Sequence, residues 1–196
     1  MAAQPLASKV LDTIPVKGRA PKTGYSREQF SDGWGDKGAC DTRNYILKRD
    51  LRSITWRTGE TCIVASGVLT DPYTGKTINF VRGVKTSLAV QIDHVVAVSD
   101  AWQKGAQQLS VNRRHDFYND PLNLLAVDGP TNSAKGDGDA ATWLPPNKSF
   151  RCSYVARQIA VKSKYKLWVT AAEKVAIGGR SEERRVGKEC LRLCRS

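Results

Sequence analysis

The spacing of apolar residues changes several times along the chain, and each change marks an expected element. In "CDTRNYILKRDL" (40–51), Tyr45, Ile46, Leu47 and Leu51 recur about one helical turn apart with charged residues between them, which predicts a helix. "CIVASGVLTDPYTGKTINFV" (62–81) reads as a hairpin: two β-rich runs flank Asp71-Pro72-Tyr73-Thr74-Gly75, a turn with proline early and glycine late. "LAVQIDHVVAV" (88–98) is a further strand-like run. It gives way to "SDAWQKGA", where Ser99 is the expected helix cap. A short apolar run at "LNLLAV" ends at the Gly129-Pro130 turn. A last helical tract, "CSYVARQIAVKSKYKLWVTAAEKVAI", precedes Gly178-Gly179.

The two ends differ from this patterned middle. Residues 1–24 are rich in Pro, Gly, Lys and Ala with a single helical turn at "LASKVLDTI", and read as an arm laid over a domain spanning 25–179. After Gly179, "RSEERRVGKECLRLCRS" has no core-forming pattern, and 180–196 reads as a non-native or disordered basic tail.

Composition narrows the class. A length of 196 residues with 40% hydrophobic content suits one sizeable core. No apolar run is long enough to span a membrane, and the N-terminus lacks the apolar stretch of a secretory signal, so an export signal would lie upstream. A formal charge of +12, spread along the chain, suits a polyanionic partner. The 5 cysteines are widely separated, with only a Cys-x3-Cys at the far end; that is not zinc spacing and points instead to disulfides and an oxidising compartment.

Candidate chemistry gathers at three places: Asp93-His94 at the end of a strand-like run, Asn123 in "DPLNLLAV", and Asn132 in "TNSAKGD". Each alone reads more simply as a core, turn or loop residue. Together they resemble the ββα-metal, or HNH, nuclease motif. There an Asp-His or His-His pair ends the first strand, an Asn follows on the second, and a His or Asn on the next helix completes the site. The wider series "GYSREQF", "CDTRN", "DPYTGK", "DHVVAVSDAWQKGA", "NDPLNLLAV", "NSAKGD", "TWLPP" and "CSYVARQ" looks like the HNH-type nuclease family of secreted bacterial proteins, over about residues 20–177. The fold class this implies is α+β: a ββα-metal core with additional helices and a β-hairpin, stapled by disulfide.

The resemblance implies roles. His94 is the general base, because an imidazole near its ordinary pKa is largely neutral at pH 7 and can take a proton from water. Asn123 orients it, while Asp93 and Asn132 supply oxygen ligands to a divalent ion, for which Mg2+ is expected and Mn2+ is the alternative. Lys135 is a candidate for the scissile phosphate or leaving oxygen, and Arg113 and Arg114 for backbone phosphates. His115, in a charged segment without a strand pattern, ranks below His94 as base. A Cys40–Cys62 disulfide fits the same reading, closing a loop across the helix-to-hairpin passage and contributing on the order of 3 kcal/mol. The expected function is a secreted, metal-dependent endonuclease acting on nucleic acid, DNA first, with 5′-phosphate and 3′-hydroxyl products. A non-catalytic polyanion-binding module is the alternative.

Overall fold

The computed structural model describes residues 7–182, so nearly all of the tail expected over 180–196 lies outside the described residues. The chain is a mixed α+β protein. Its N-terminal segment opens with helix α1 (Ala7–Thr13), followed by a two-stranded ribbon of β1 (Asp36–Lys37) and β2 (Cys40–Asp41) and then helix α2 (Thr42–Asp50). Asp41 caps α2, its carboxylate accepting the Asn44 N–H at 2.6 Å.

Strands β3 (Leu51–Trp56), β4 (Val64–Thr70) and β5 (Thr77–Val81) form an antiparallel sheet in the order β3-β4-β5. The hairpin read from the sequence is β4–β5. Strand β3 is an addition to it: its first residue, Leu51, belonged to the expected helix, and Arg52, Ser53 and Thr55 hide its single apolar face. At the β4–β5 turn, Gly75 takes a left-handed conformation (φ 76°) and donates its N–H to the Asp71 carbonyl at 2.8 Å. The Asp71 carboxylate also accepts the Asp128 N–H at 3.0 Å, which fastens the turn to the middle of the domain.

The central pair is β6 (Val90–His94), which is followed by α3 (Val98–Gln103) and α4 (Val111–Tyr118), and then β7 (Leu124–Asp128), antiparallel to β6 with His94 opposite Leu124 and Asp93 opposite Leu125. Alternation along β7 serves two cores. Leu124 and Ala126 join Ile92, the buried face of α2 and the three-stranded sheet. Leu125 and Val127 face the helical side, against Leu11, Tyr154 and Ile159. Helix α5 (Gly129–Lys135) leaves β7 at once, capped by Asp128, whose carboxylate accepts the Thr131 N–H at 2.8 Å. Only glycine fits its first position, since a Cβ on Gly129 would lie 2.0 Å from the Leu88 carbonyl oxygen.

The last helical tract divides into α6 (Arg151–Lys164) and α7 (Ala171–Glu182), parted where Lys166 takes a positive φ of 52°. Two further corrections concern α3 and α4. Ser99 sits inside α3 rather than capping it, because the helix begins at Val98; its hydroxyl donates to Asp137 at 3.0 Å. The charged segment "VNRRHDFY", in which the sequence suggested no regular element, is α4: its charged side chains face outward while Phe117 and Tyr118 are buried.

The disulfide between Cys40 and Cys62 is present, with its Cα atoms 5.2 Å apart across 22 positions. It ties β2 to the entry of β4. Cys152, buried in α6, is also disulfide-bonded.

Candidate active site

Where β6 ends, a cleft of about 400 Å³ opens, lined among others by Arg27, Asp93, His94, Ser99, Asn132 and Asp137. Strand, connecting loop and helix each deliver part of it. Successive residues of a strand point to opposite faces, so Asp93 turns toward the helical side and His94 toward the aromatic side, and both meet the cleft at the strand's end.

His94 is held by shape and by one hydrogen bond. Its ring stacks on Trp34, with centroids 5.7 Å apart and planes within 9°, and contacts Tyr118 at 4.5 Å. Tyr118 is the last residue of α4, so its carbonyl has no partner inside that helix. It lies 2.8 Å from His94 Nε2. A carbonyl can only accept, so Nε2 carries the proton and Nδ1 is left as the acceptor nitrogen. Burial, and then the positive charge of Arg27, lower the His94 pKa to about 3, so the ring is neutral at physiological pH.

This corrects the role expected for Asn123. Its side chain does not reach the imidazole. It accepts the Val96 N–H at 2.8 Å and donates to the Val96 carbonyl at 3.3 Å, while its own carbonyl accepts the Val95 N–H at 2.8 Å. Asn123 therefore clamps the backbone just after His94, and the Tyr118 carbonyl orients the ring. Asp120 prepares that clamp by capping the turn over Pro121–Asn123, accepting the Leu122 N–H at 3.0 Å.

Asp93 is buried between two donors. One carboxylate oxygen accepts from Lys135 Nζ at 2.7 Å, and the other accepts a short hydrogen bond from the Tyr73 hydroxyl. Burial raises the Asp93 pKa, with Lys135 opposing it. Tyr73 reaches the site from the β4–β5 turn, a contribution its position in a turn sequence did not signal. Lys135 also donates to the His94 carbonyl at 2.8 Å, and its side chain has no exposed surface. A lysine so placed braces Asp93 and His94 from behind and does not reach out to a substrate, which corrects the phosphate contact expected of it.

Asn132, on α5, donates to Gln91 at 2.9 Å, which leaves its carbonyl oxygen for the cleft. Asp93 and Asn132 both line the cleft, the Asn132 amide oxygen outside that hydrogen bond and the Asp93 carboxylate with both oxygens already accepting from Lys135 and Tyr73. Oxygen donors of this kind suit a hard divalent ion that keeps several waters, rather than a softer ion in an all-protein cage. Among the described residues no group of three or more His, Cys, Asp and Glu gathers to hold a metal.

The expected phosphate arginines lie elsewhere. Arg113 stacks over Tyr165 at 4.7 Å and donates to the Lys164 carbonyl at 3.2 Å. Arg114 donates to the Gln29 carbonyl at 2.9 Å and the Leu109 carbonyl at 2.6 Å, pinning the segment before the first ribbon to α4. Neither lines the cleft. His115 also stands apart from it, with Nε2 3.3 Å from the Asn119 amide nitrogen.

The family model for the C-terminal domain of GmrSD restriction endonucleases matches residues 41–179. The chain belongs to this family. The GmrSD-type domain therefore comprises α2 through most of α7 and contains Asp93, His94, Asn123 and Asn132, which makes the protein nuclease-related. An uncharacterized secreted protein of Arthroderma benhamiae is 38% identical over 173 residues, covering 87% of this chain and 81% of its own length. No solved structure matches the chain. Among the described residues, no helix is long and apolar enough to cross a membrane.

Proposed function

We propose that this GmrSD-type domain is an HNH endonuclease that hydrolyses phosphodiester bonds of nucleic acid, DNA first, outside the cell. The supporting observation is the His94 ring: Nε2 is committed to the Tyr118 carbonyl, and the ring shares one cleft with the oxygens of Asp93 and Asn132. Secretion is supported by the secreted relative and by the disulfides.

In this reading a water in the cleft attacks phosphorus while His94 Nδ1 accepts its proton. The new O–P bond forms as the bond to the 3′ oxygen breaks, leaving a 5′-phosphate and, after protonation from solvent, a 3′-hydroxyl. A divalent ion such as Mg2+ or Mn2+, held by Asp93 and Asn132, would supply charge neutralisation on the phosphate and the departing oxygen. Lys135 and Tyr73 hold the Asp93 carboxylate in place, Asn123 fixes the backbone that carries the base, and Trp34 keeps the ring from turning.

Plasmid nicking in a panel of divalent ions tests the proposal. Activity with Mg2+ or Mn2+, silence in EDTA, and a loss of about a thousandfold in His94→Ala with the fold retained are expected. Full activity in EDTA or in His94→Ala would remove the assignment. Salt-sensitive DNA retention with no nicking under any ion would favour a binding module instead.

A further inference from the structure

We propose that Arg27 is the phosphate-binding residue of the cleft, supplied by chain that lies ahead of the family-matched stretch. The inference rests on the endonuclease reading for the substrate's class and on its own geometry for the residue.

The basic side chains near the cleft are not equivalent. Lys135 is buried and spent on Asp93 and the His94 carbonyl. Lys22, on the rim, pairs with Asp137 at 3.4 Å. Arg113 and Arg114 donate to backbone carbonyls away from the cleft. Arg27 is exposed, lines the cleft beside His94, and forms no ion pair among the described residues.

Its guanidinium is nonetheless held still. Nε donates to the Tyr118 hydroxyl at 3.0 Å, and the group lies over the Tyr118 ring at 5.1 Å. The two terminal nitrogens are left for a ligand. A guanidinium anchored through Nε and open at its far edge offers the parallel N–H pair that matches two phosphate oxygens. The same tyrosine orients His94 through its carbonyl, so base and guanidinium are registered to one residue.

The placement also separates the two kinds of positive charge in the cleft. A cation already paired would have to give up its carboxylate to bind phosphate, whereas Arg27 gives up only water. It also stands on the 3-10 turn Arg27–Gln29, before residue 41, where the family match begins. The family-matched core would therefore borrow its substrate contact from a preceding segment pinned to α4 by Arg114.

The test is binding of a fluorescein-labelled single-stranded oligodeoxynucleotide in EDTA, read by anisotropy across a salt series, with Mg2+-dependent cleavage measured in parallel. Arg27→Gln is expected to weaken binding about tenfold and to reduce the slope of log affinity against log salt by about 0.7, the loss of one phosphate contact on a single strand. Arg27→Lys should recover part of the affinity, and Arg113→Gln should bind within about twofold of the wild type. Melting temperatures of all variants should match, since Arg27 is exposed. An Arg27→Gln protein that binds with unchanged affinity and salt slope overturns the proposal, as does a wild type that does not bind. A wild type that binds through Arg27 but never cleaves supports the proposal while removing the endonuclease reading.

Discussion

Lys104 and Lys135 are both ammonium groups withdrawn from water onto carboxylates, yet their surroundings are built differently. Lys104 Nζ lies 2.7 Å from each of Asp100, Asp139 and Glu173; Lys162 adds contacts to Asp100 and Glu173 at 3.3 and 3.0 Å, and Arg19 adds Asp100 and Asp139 at 3.1 and 2.8 Å. Three cations and three anions balance there. Lys135 meets one carboxylate and one carbonyl, at the wall of a cleft lined by Arg27, whose guanidinium forms no ion pair among the described residues. The first cluster holds α3, α6 and α7 together, whereas the second braces Asp93 and His94 beside the cleft.

The comparison is broken or sharpened most strongly by removing each lysine. Lys104→Met leaves three carboxylates facing two cations in the interior and is expected to lower unfolding free energy by about 4 kcal/mol, read by urea denaturation. Lys135→Met should lower it by about 2 kcal/mol, because Asp93 keeps its Tyr73 bond and can take up a proton. Equal losses would erase the distinction between the two clusters.

Acid separates the regions next. The His94 pKa in the folded protein lies below that of the unfolded chain, near 6.5, so the unfolded state takes up a proton that the native state refuses. Stability from this group is complete above about pH 6.5 and is lost as pH falls toward about 3, at up to roughly 1.4 kcal/mol per pH unit. Asp139, whose burial is outweighed by Lys104 and Arg19, has its pKa lowered to about 2, so its contribution is lost only below the ordinary carboxyl range. Denaturation between pH 7 and 4.5 should therefore slope downward in the wild type and flatten in His94→Gln. An unchanged slope in the variant would assign the acid sensitivity elsewhere.

The smallest effect is expected from Arg113→Gln, which removes a surface contact to a carbonyl and should change stability and nicking by less than about 1 kcal/mol, measured in the same assays.

How much of this was legible follows from how local each signal is. The β4–β5 hairpin could be read because Asp71 and Gly75 determine the turn within five residues. The two apolar runs that become β6 and β7 could be read as runs, whereas Asp93, His94 and Asn132 were singled out through the resemblance to the HNH motif and not through their spacing. Strand β3 and helix α4 were obscured by outward-facing charge. The roles of Asn123 and Lys135 were misjudged because their partners, the backbone at Val96 and the carboxylate of Asp93, are set by tertiary packing. Arg27, Trp34 and Tyr73 carried no local sign of belonging to the site, since each arrives from a separate stretch of chain.

Arg19 gives the arm a consequence of its own. With its side chain one-third exposed, at 34%, it supplies the sixth charge of the Lys104 cluster from outside the helices that bury the rest. The segment that carries Arg19 and Lys22 is thus fastened twice, by Ala7, Leu11 and Ile14 in the core and by the charges it lends to the helices and the cleft rim, so the arm is part of the domain's interior and not a covering laid on it.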